Sequence, residues 1–210
     1  MKVVVVTEPT GPWGLQAVVE HYDSTPTLER VVFDRQPRTL SPDRVALASY
    51  LLFGHLASGR LQMPQWHTPA LAQAIAQDAR PAWLQTEPVE FYAKPLPTGR
   101  LTVGVEVEGI AGFEPATCPT GAYELRFMRS DRSSGARATF ASLELSSNAW
   151  LLSVNASQEG RLRVALACAV LFAEDVEADR ILIGHGLATK AVLARARRLL
   201  DAVRLGLEEA

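Results

Sequence analysis

Apolar and polar residues alternate most regularly in the middle of the chain. In Leu101–Val107 and in Tyr123–Met128, every second side chain is apolar and those between are mostly polar or small. Because side chains point alternately to the two faces of a strand, this pattern predicts strands with one buried and one solvated face. Residues 87–155 are therefore predicted to form an antiparallel meander.

The same middle region contains one irregular strand. Residues 136–145 return to an apolar pattern after a polar turn, but the alternation slips between Phe140 and Leu143. A slip of this kind indicates a bulge or a break in the strand. One more strand is predicted over Trp150–Val154.

The first third of the chain contains two helix starts. Ser41-Pro42 and Thr68-Pro69 each combine an N-cap residue with a proline at the first helical position. Helices are therefore predicted from Ser41 to about Ala57 and from Thr68 to about Asp78. Residues 60–67 are predicted to join them as the loop of a helical hairpin.

The two ends of the chain carry stronger apolar runs. Val3–Val6 is β-branched throughout, which predicts a strand buried on both faces. Ser157–Ala173 is apolar on most sides and is predicted as a central, largely buried helix. Arg180–Ile183 is predicted as a strand, and Thr189–Leu207 as a final amphipathic helix after which no strand follows.

These elements predict one α+β domain over residues 1–210. The sheet is expected to be mostly antiparallel, with helices packed mainly on one face. It would be mixed if the strands at Val3 and Ile181 pair in parallel. No internal repeat is evident. The expected parts are an N-terminal strand and helical-hairpin region, the meander, and a C-terminal helix-strand-helix region, over residues 1–86, 87–155 and 156–210.

Composition excludes several classes of protein. Hydrophobic residues make up 48% and charged residues 21% of the 210 residues, as in ordinary globular domains. The formal net charge of −2 argues against a protein that coats nucleic acid through bulk charge. Scarce lysine with abundant arginine, alanine and leucine suggests a bacterial, GC-rich coding sequence.

The cysteines and apolar runs indicate a cytoplasmic protein. No run approaches the ~18 apolar residues of a membrane span, and the N-terminal apolar run is too short for a signal peptide. Cys118 and Cys168 lie far apart without a CxxC pattern, as expected in a reducing compartment. The four histidines show no metal-ligand spacing, so neither a metal nor a cofactor is predicted.

A Gly-His-Gly turn between the predicted strand at 180–183 and the final helix is the main candidate ligand site. Backbone N–H groups at a helix start can hold an anion, and glycine allows its close approach. Gly184, Gly186, Thr189 and Lys190 are the candidate phosphate-binding residues, and His185 is a candidate donor or general acid. The alternative is an ordinary strand-to-helix connection in which Thr189 caps the helix.

The turn does not match the known phosphate-binding loops. GxxxxGK[ST] is absent, and Thr189 stands where GxGxxG requires its third glycine. With no predicted strand after the last helix, no acidic residue would reach a ribose. These differences argue against a dinucleotide site.

Four arginines surround the predicted central hairpin turn, and arginine on a β-ribbon can contact nucleic acid phosphates. Neighbouring acidic residues such as Glu124 and Asp131 can pair with these arginines locally, so a solvated face is the favoured interpretation. The four candidates are Arg126, Arg129, Arg132 and Arg137.

A histidine and a cysteine elsewhere in the chain are further candidates for ligand binding or reactivity. His67 follows Trp66 in the predicted interhelix loop, where it can meet a ligand, although packing within the loop is the simpler interpretation. Cys118 lies in a predicted loop as a candidate reactive thiol, whereas Cys168 is expected to pack inside its helix.

The function expected from these observations is a non-catalytic accessory or protein-binding module, with a protein partner or self-association as a homodimer. The reason is that catalytic motifs such as GxSxG and HExxH are absent. Two alternatives stay open: a small enzyme or ligand-binding protein that uses the Gly184–Lys190 turn, and a nucleic-acid-binding protein that uses the arginines. Whether the protein is an enzyme is left open, and no membrane association is expected.

Overall fold

The computed structural model describes residues 1–8, 11–80, 82–92, 95–110 and 122–209, and within them the chain forms one mixed sheet covered by α-helices. The strands are β1 (Lys2–Thr7), β2 (Trp13–Val18), β3 (Arg30–Phe33), β4 (Arg60–His67), β5 (Gln85–Val89), β6 (Leu101–Val107), β7 (Tyr123–Arg129), β8 (Arg137–Ala138), β9 (Ser142–Ser147), β10 (Ala178–Ile183) and β11 (Gly206–Glu209). The helices are α1 (Pro42–Phe53), α2 (Pro69–Asp78), α3 (Gln158–Phe172) and α4 (Lys190–Asp201), with short 3₁₀ helices at Gly54–Leu56 and Ala149–Ser153.

The sheet is mixed and mostly parallel, so the prediction of a mostly antiparallel sheet is wrong. Its strand order is β11-β10-β6-β7-β9-β3-β2-β1-β4-β5, with β8 paired to β9. Pairing is parallel on both flanks, from β9 to β11 and from β1 to β5. Only β1–β2, β2–β3, β3–β9 and β8–β9 pair in antiparallel among the described strands.

The predicted antiparallel meander over residues 87–155 is the main error. β6, β7 and β9 lie side by side in that region, but they run parallel. Alternation reports which face of a strand is buried and says nothing of strand direction. The expected break between Phe140 and Leu143 is confirmed, because β8 ends before it and β9 begins at Ser142. Trp150 lies in a 3₁₀ helix and not in a strand.

The helical hairpin is also corrected. Both helix starts are confirmed at Pro42 and Pro69, but the segment between the helices is β4, which pairs with β1 and β5. Leu61 and Met63 of β4 are buried, whereas Gln62 between them is only half-buried. Polar residues and Pro64 obscured this short alternation in the sequence.

The last helix is shorter than predicted. α4 ends at Asp201, and Gly206–Glu209 forms β11, parallel to β10. The expectation that no strand follows this helix is therefore wrong. Leu205 and Leu207 are both buried, and this spacing of two residues fits a strand. In the sequence they continue the apolar pattern of α4, which is why the pattern predicts a longer helix.

The two halves of the chain share a strand order but not the strand directions, since β1–β2 and β2–β3 are antiparallel whereas β6–β7 and β7–β9 are parallel. Each half of the chain runs through three strands, a helix, a strand, a helix and a strand, apart from the added β8. In each half these five strands have the sheet order 3-2-1-4-5. The antiparallel pairing of Phe33 with Ser147 joins the two halves.

The helices lie on one face of the sheet, where they contact one another. α1 and α3 are buried along most of their length, which confirms the central helix predicted from Ser157, whereas α2 and α4 bury only one side. Phe172 of α3 packs with Phe33 of β3 and Phe127 of β7, and the ring centroids of the three lie 5.1–5.9 Å apart. None of the described helices is long and apolar enough to cross a membrane.

Candidate functional site

A cleft of about 630 Å³ opens where β4 and β5 end and α1 and α2 begin. We call it the β4–β5 cleft. In sheets with parallel strands, ligands bind outside the carboxyl ends of the strands, where loops and helix N-termini converge. The cleft has apolar walls, including Leu40, Leu96 and several prolines, and it also carries carboxylates and two aromatic side chains.

Asp43, in the first turn of α1, forms part of the cleft wall. Its Oδ1 accepts a hydrogen bond from the backbone N–H of Thr68 at 2.7 Å. Its Oδ2 is buried and has no hydrogen-bond partner within the described part of the chain. The side chain thus uses one oxygen to hold the start of α2 and keeps the other without a donor.

His67, the last residue of β4, lies beside Asp43 in this wall. Its Nε2 is 2.8 Å from the hydroxyl of Thr86 on β5, and its Nδ1 is buried without a hydrogen bond among the described residues. Burial lowers the pKa of His67, against the opposing effects of the Asp43 carboxylate and of the Gln65 and Pro88 carbonyl groups. The imidazole is therefore neutral at pH 7.

Two aromatic side chains at the cleft are largely accessible. Trp66 is 59% and Tyr92 92% exposed. The backbone N–H of Tyr92 donates to Oε1 of Glu90 at 2.9 Å, so that this carboxylate and the tyrosine belong to one turn. Glu90 itself follows β5, where its N–H donates to the carbonyl of His67.

The opposite wall is held by a buried ion pair. Arg44 lies under the cleft, 3.8 Å from the carboxylate of Glu174, and donates to the carbonyl of Pro97 at 3.3 Å. Glu174 also accepts the N–H of Ser41, the N-cap residue of α1, at 2.9 Å. Burial lowers the pKa of Arg44 and the Glu174 carboxylate opposes that shift. The charge of Glu174 is thereby offset.

Comparisons with known proteins identify no relative. No protein-family model, curated protein or solved structure matches the chain. The geometry of the described residues is therefore the basis for any functional argument.

A second cavity, of about 380 Å³, lies among the four helices. Asp78 at the end of α2 is its central charge: it accepts a 2.7 Å hydrogen bond from the hydroxyl of Tyr50 and a 3.1 Å bond from Arg163. Arg163 also lies over the Tyr50 ring, and Arg195 of α4 is 3.7 Å from the other Asp78 oxygen. Glu159 accepts from Arg195.

The charged groups of this ionic cluster pair with one another. Both oxygens of Asp78 face arginine, and the Tyr50 hydroxyl is used by Asp78. Burial raises the pKa of Tyr50, so its hydroxyl stays protonated. The cluster ties together one residue or more from each helix, which is a structural role.

The structure places the predicted Gly184–Lys190 turn on the surface between β10 and α4. His185, Gly186, Thr189 and Lys190 are exposed, and Gly184 is half-buried. Gly186 adopts a positive φ of 75°, its carbonyl accepts a hydrogen bond from Gln158, and Thr189 caps α4 by accepting from the N–H of Val192.

No residue of this turn lines either of the two cavities described above. The turn is followed by β11, so a strand that ends in acidic residues does come after it. Glu208 of that strand pairs with Arg180, and Glu209 lies 3.9 Å from Arg197. Phosphate binding at the turn stays a prediction.

The four candidate arginines do not form a free basic surface. Arg126 lies on the solvated face of the sheet among the carboxylates of Glu106, Glu124 and Glu144, at 2.6–3.4 Å. Arg129 pairs with Asp131 and stacks on Trp150, and Arg132 pairs with Glu108. Arg137 is exposed on β8. Three of the four therefore have carboxylate partners.

The sequence pattern singles out His67 and Trp66 but places them in a loop, and Asp43 is not among the predicted site residues. No local signal links Asp43 to Thr68, because that contact depends on how two helices are packed. The acidic segment after α3 anchors the chain before α1, since Asp175 accepts the N–H of Arg38 and Glu174 that of Ser41. Cys118 lies outside the described residues.

Proposed function

We propose that the protein is a binding protein for a small organic molecule, which occupies the β4–β5 cleft. The observation that carries the proposal is Oδ2 of Asp43, which has no hydrogen-bond partner among the described residues and belongs to a residue only 3% exposed. Nδ1 of His67, a residue 1% exposed, supports it as a second orphan atom in the same wall.

A buried polar atom without a partner destabilises the folded state by about 1–3 kcal/mol, and more when it is charged. Folded proteins rarely keep such atoms, and those that persist commonly serve a ligand. The structural contact of Asp43 needs only Oδ1, which an asparagine would also supply. A ligand group that donates to Oδ2, or that places a positive charge against it, accounts for the second oxygen.

The cleft has the size and lining of a small-molecule site. Its volume of about 630 Å³ falls within the ~300–1,000 Å³ of typical ligand pockets. Leu40 and Leu96 supply apolar surface, and Asp43 and His67 supply a few fixed polar groups. Such sites combine an apolar lining with a small number of orienting hydrogen-bond groups.

The test is a screen of a library of neutral, cationic and anionic small molecules by ligand-observed NMR, on the wild-type chain and on Asp43→Asn. The matched control is Asp131→Asn, which changes an exposed aspartate far along the chain. We expect ligands that bind the wild type and the control but not Asp43→Asn. Ligands that bind all three proteins equally would contradict the proposal.

A protein-binding role is the second candidate, with a second copy of the same chain as the partner. It is favoured by large exposed aromatic side chains next to β5, the last strand on one edge of the sheet: Trp83, Phe91 and Tyr92. Apolar patches of this kind mark association surfaces, and a two-fold dimer would bury the same patch on both copies.

Sedimentation velocity over a range of protein concentrations tests this second candidate. We expect a dimer whose dissociation constant rises when Phe91 is replaced by Ser, and not when the even more exposed Phe140 is replaced by Ser. A monomer at all concentrations would contradict it and leave the cleft proposal unaffected.

A further inference from the structure

We infer that the ligand of the β4–β5 cleft is a small organic cation, held by an ammonium or trimethylammonium group against the carboxylates of Asp43 and Glu90 and the rings of Trp66 and Tyr92. This inference rests on the proposed function and names the chemical class of its ligand.

The first argument is the charge of the cleft. Three carboxylates line it, from Asp43, Glu90 and Glu174. The negative charge of Glu174 is offset by its ion pair with the buried Arg44. Within the described ranges, Asp43 and Glu90 accept hydrogen bonds only from backbone N–H groups, of Thr68 and Tyr92 respectively. Among the described residues, which do not include Lys94, these two carboxylates have no basic partner.

The second argument is the aromatic surface. Cations bind over the faces of Trp and Tyr rings, and quaternary ammonium groups are recognised by clusters of such rings. Trp66 and Tyr92 both line the cleft and are exposed to it and to solvent. Trp83 offers a contrast: its indole N–H donates to the carbonyl of Ser58, and its ring is not part of the cleft.

The lining of the cleft disfavours other classes of ligand. An anion would face the carboxylates of Asp43 and Glu90, which no basic side chain of the described residues offsets, and the neutral His67 supplies no positive charge against them. A neutral apolar molecule would leave Oδ2 of Asp43 without a partner. A metal ion is disfavoured, since the described residues contain no cluster of three metal-ligating side chains.

The experiment compares probes that differ in charge but not in shape. Choline and its uncharged carbon isostere 3,3-dimethylbutan-1-ol are titrated separately into the full chain, with benzyltrimethylammonium as a larger cation. Binding is followed by the NMR signal of the Trp66 indole N–H. We expect the cations to shift this signal and to bind about tenfold or more tightly than the isostere.

Variants locate the effect. Glu90→Gln removes one charge while keeping the shape. Trp66→Leu removes one ring, and its binding is followed by the NMR signals of the probe itself, because the variant lacks the Trp66 indole. Each substitution should weaken cation binding by about tenfold. Trp83→Leu is the matched control, because it deletes an exposed tryptophan outside the cleft, and should leave the affinity unchanged.

Two outcomes overturn the inference: the isostere binds as tightly as choline, or neither cation shifts the Trp66 signal. The proposed function and the cation inference can be tested independently. If the library screen yields a neutral or anionic ligand whose binding is lost in Asp43→Asn, the cleft binds a molecule of another class and only the cation inference falls.

Discussion

The backbone N–H of Thr68 donates a 2.7 Å hydrogen bond to Oδ1 of Asp43. Thr68 is the N-cap residue of α2, and Asp43 lies in the first turn of α1. The bond therefore fixes two helix starts against each other at the carboxyl end of β4. The two oxygens of this carboxylate therefore differ, since Oδ1 accepts the Thr68 N–H and Oδ2 is buried without a donor among the described residues.

Substitutions of Asp43 separate these two roles. Asp43→Ala removes the acceptor for the Thr68 N–H and should lower the free energy of unfolding by about 1–3 kcal/mol. Asp43→Asn keeps an oxygen for that bond and removes the unpartnered carboxylate oxygen, so stability should stay within about 1 kcal/mol of the wild type or rise. Urea denaturation measures both; equal, large losses would show that Oδ2 has a structural partner.

His67 predicts a pH dependence of stability. Its folded-state pKa is lowered by burial below the ordinary value of 6.5. The unfolded chain therefore binds a proton more readily than the folded one, and stability falls as the pH drops below about 6.5 toward the folded-state pKa. We expect the free energy of unfolding to be higher at pH 7.5 than at pH 5.

The variant His67→Gln should flatten part of this slope, because glutamine does not titrate there. His185→Gln is the matched control: it changes an exposed histidine and should leave the slope as in the wild type. Chemical denaturation at several pH values gives the slopes. A slope unchanged by His67→Gln would show that other groups cause the acid sensitivity.

The ionic cluster between the helices predicts how much stability three substitutions should cost, in a definite order. Tyr50→Phe removes one hydrogen bond to Asp78 and should cost about 1 kcal/mol. Asp78→Ala leaves Arg163 and Arg195 without their shared carboxylate and should cost about 3 kcal/mol. Asp131→Ala, which breaks an exposed pair with Arg129, should cost less than about 1 kcal/mol. A reversed order in thermal or urea unfolding would contradict this account of the cluster.

Cys168 reports on the burial of α3. Burial raises the pKa of its thiol to about 12. In a Cys118→Ser background, a thiol reagent at pH 8 should modify Cys168 at least about a thousandfold more slowly in the folded protein than in urea. Rapid labelling of the folded protein, followed by absorbance, would show that the α1–α3 layer opens readily.

Local patterns in the sequence predicted elements well and their arrangement poorly. Ser41-Pro42, Thr68-Pro69 and the apolar run after Ser157 each led to the correct helix, because capping and burial are local properties. The direction of β6 against β7 could not be predicted, since alternation is the same in parallel and antiparallel pairs.

The candidate cleft was still harder to predict. His67 and Trp66 are distinctive residue types, but the sequence pattern predicts a loop where β4 lies, so the carboxyl end of that strand could not be predicted as a site. The Gly184–Lys190 turn had the stronger local pattern, yet the structure gives it no cavity of those described. Clefts arise from contacts such as Asp43 with Thr68, which depend on tertiary packing.

The most direct test of the central claim is a crystal structure of the protein bound to the tightest ligand from the screen. We predict a ligand in the β4–β5 cleft with a donor or a cationic group against Oδ2 of Asp43. A ligand seated elsewhere, or an Oδ2 that is hydrogen-bonded to the protein with the cleft filled by its own side chains, would contradict the account.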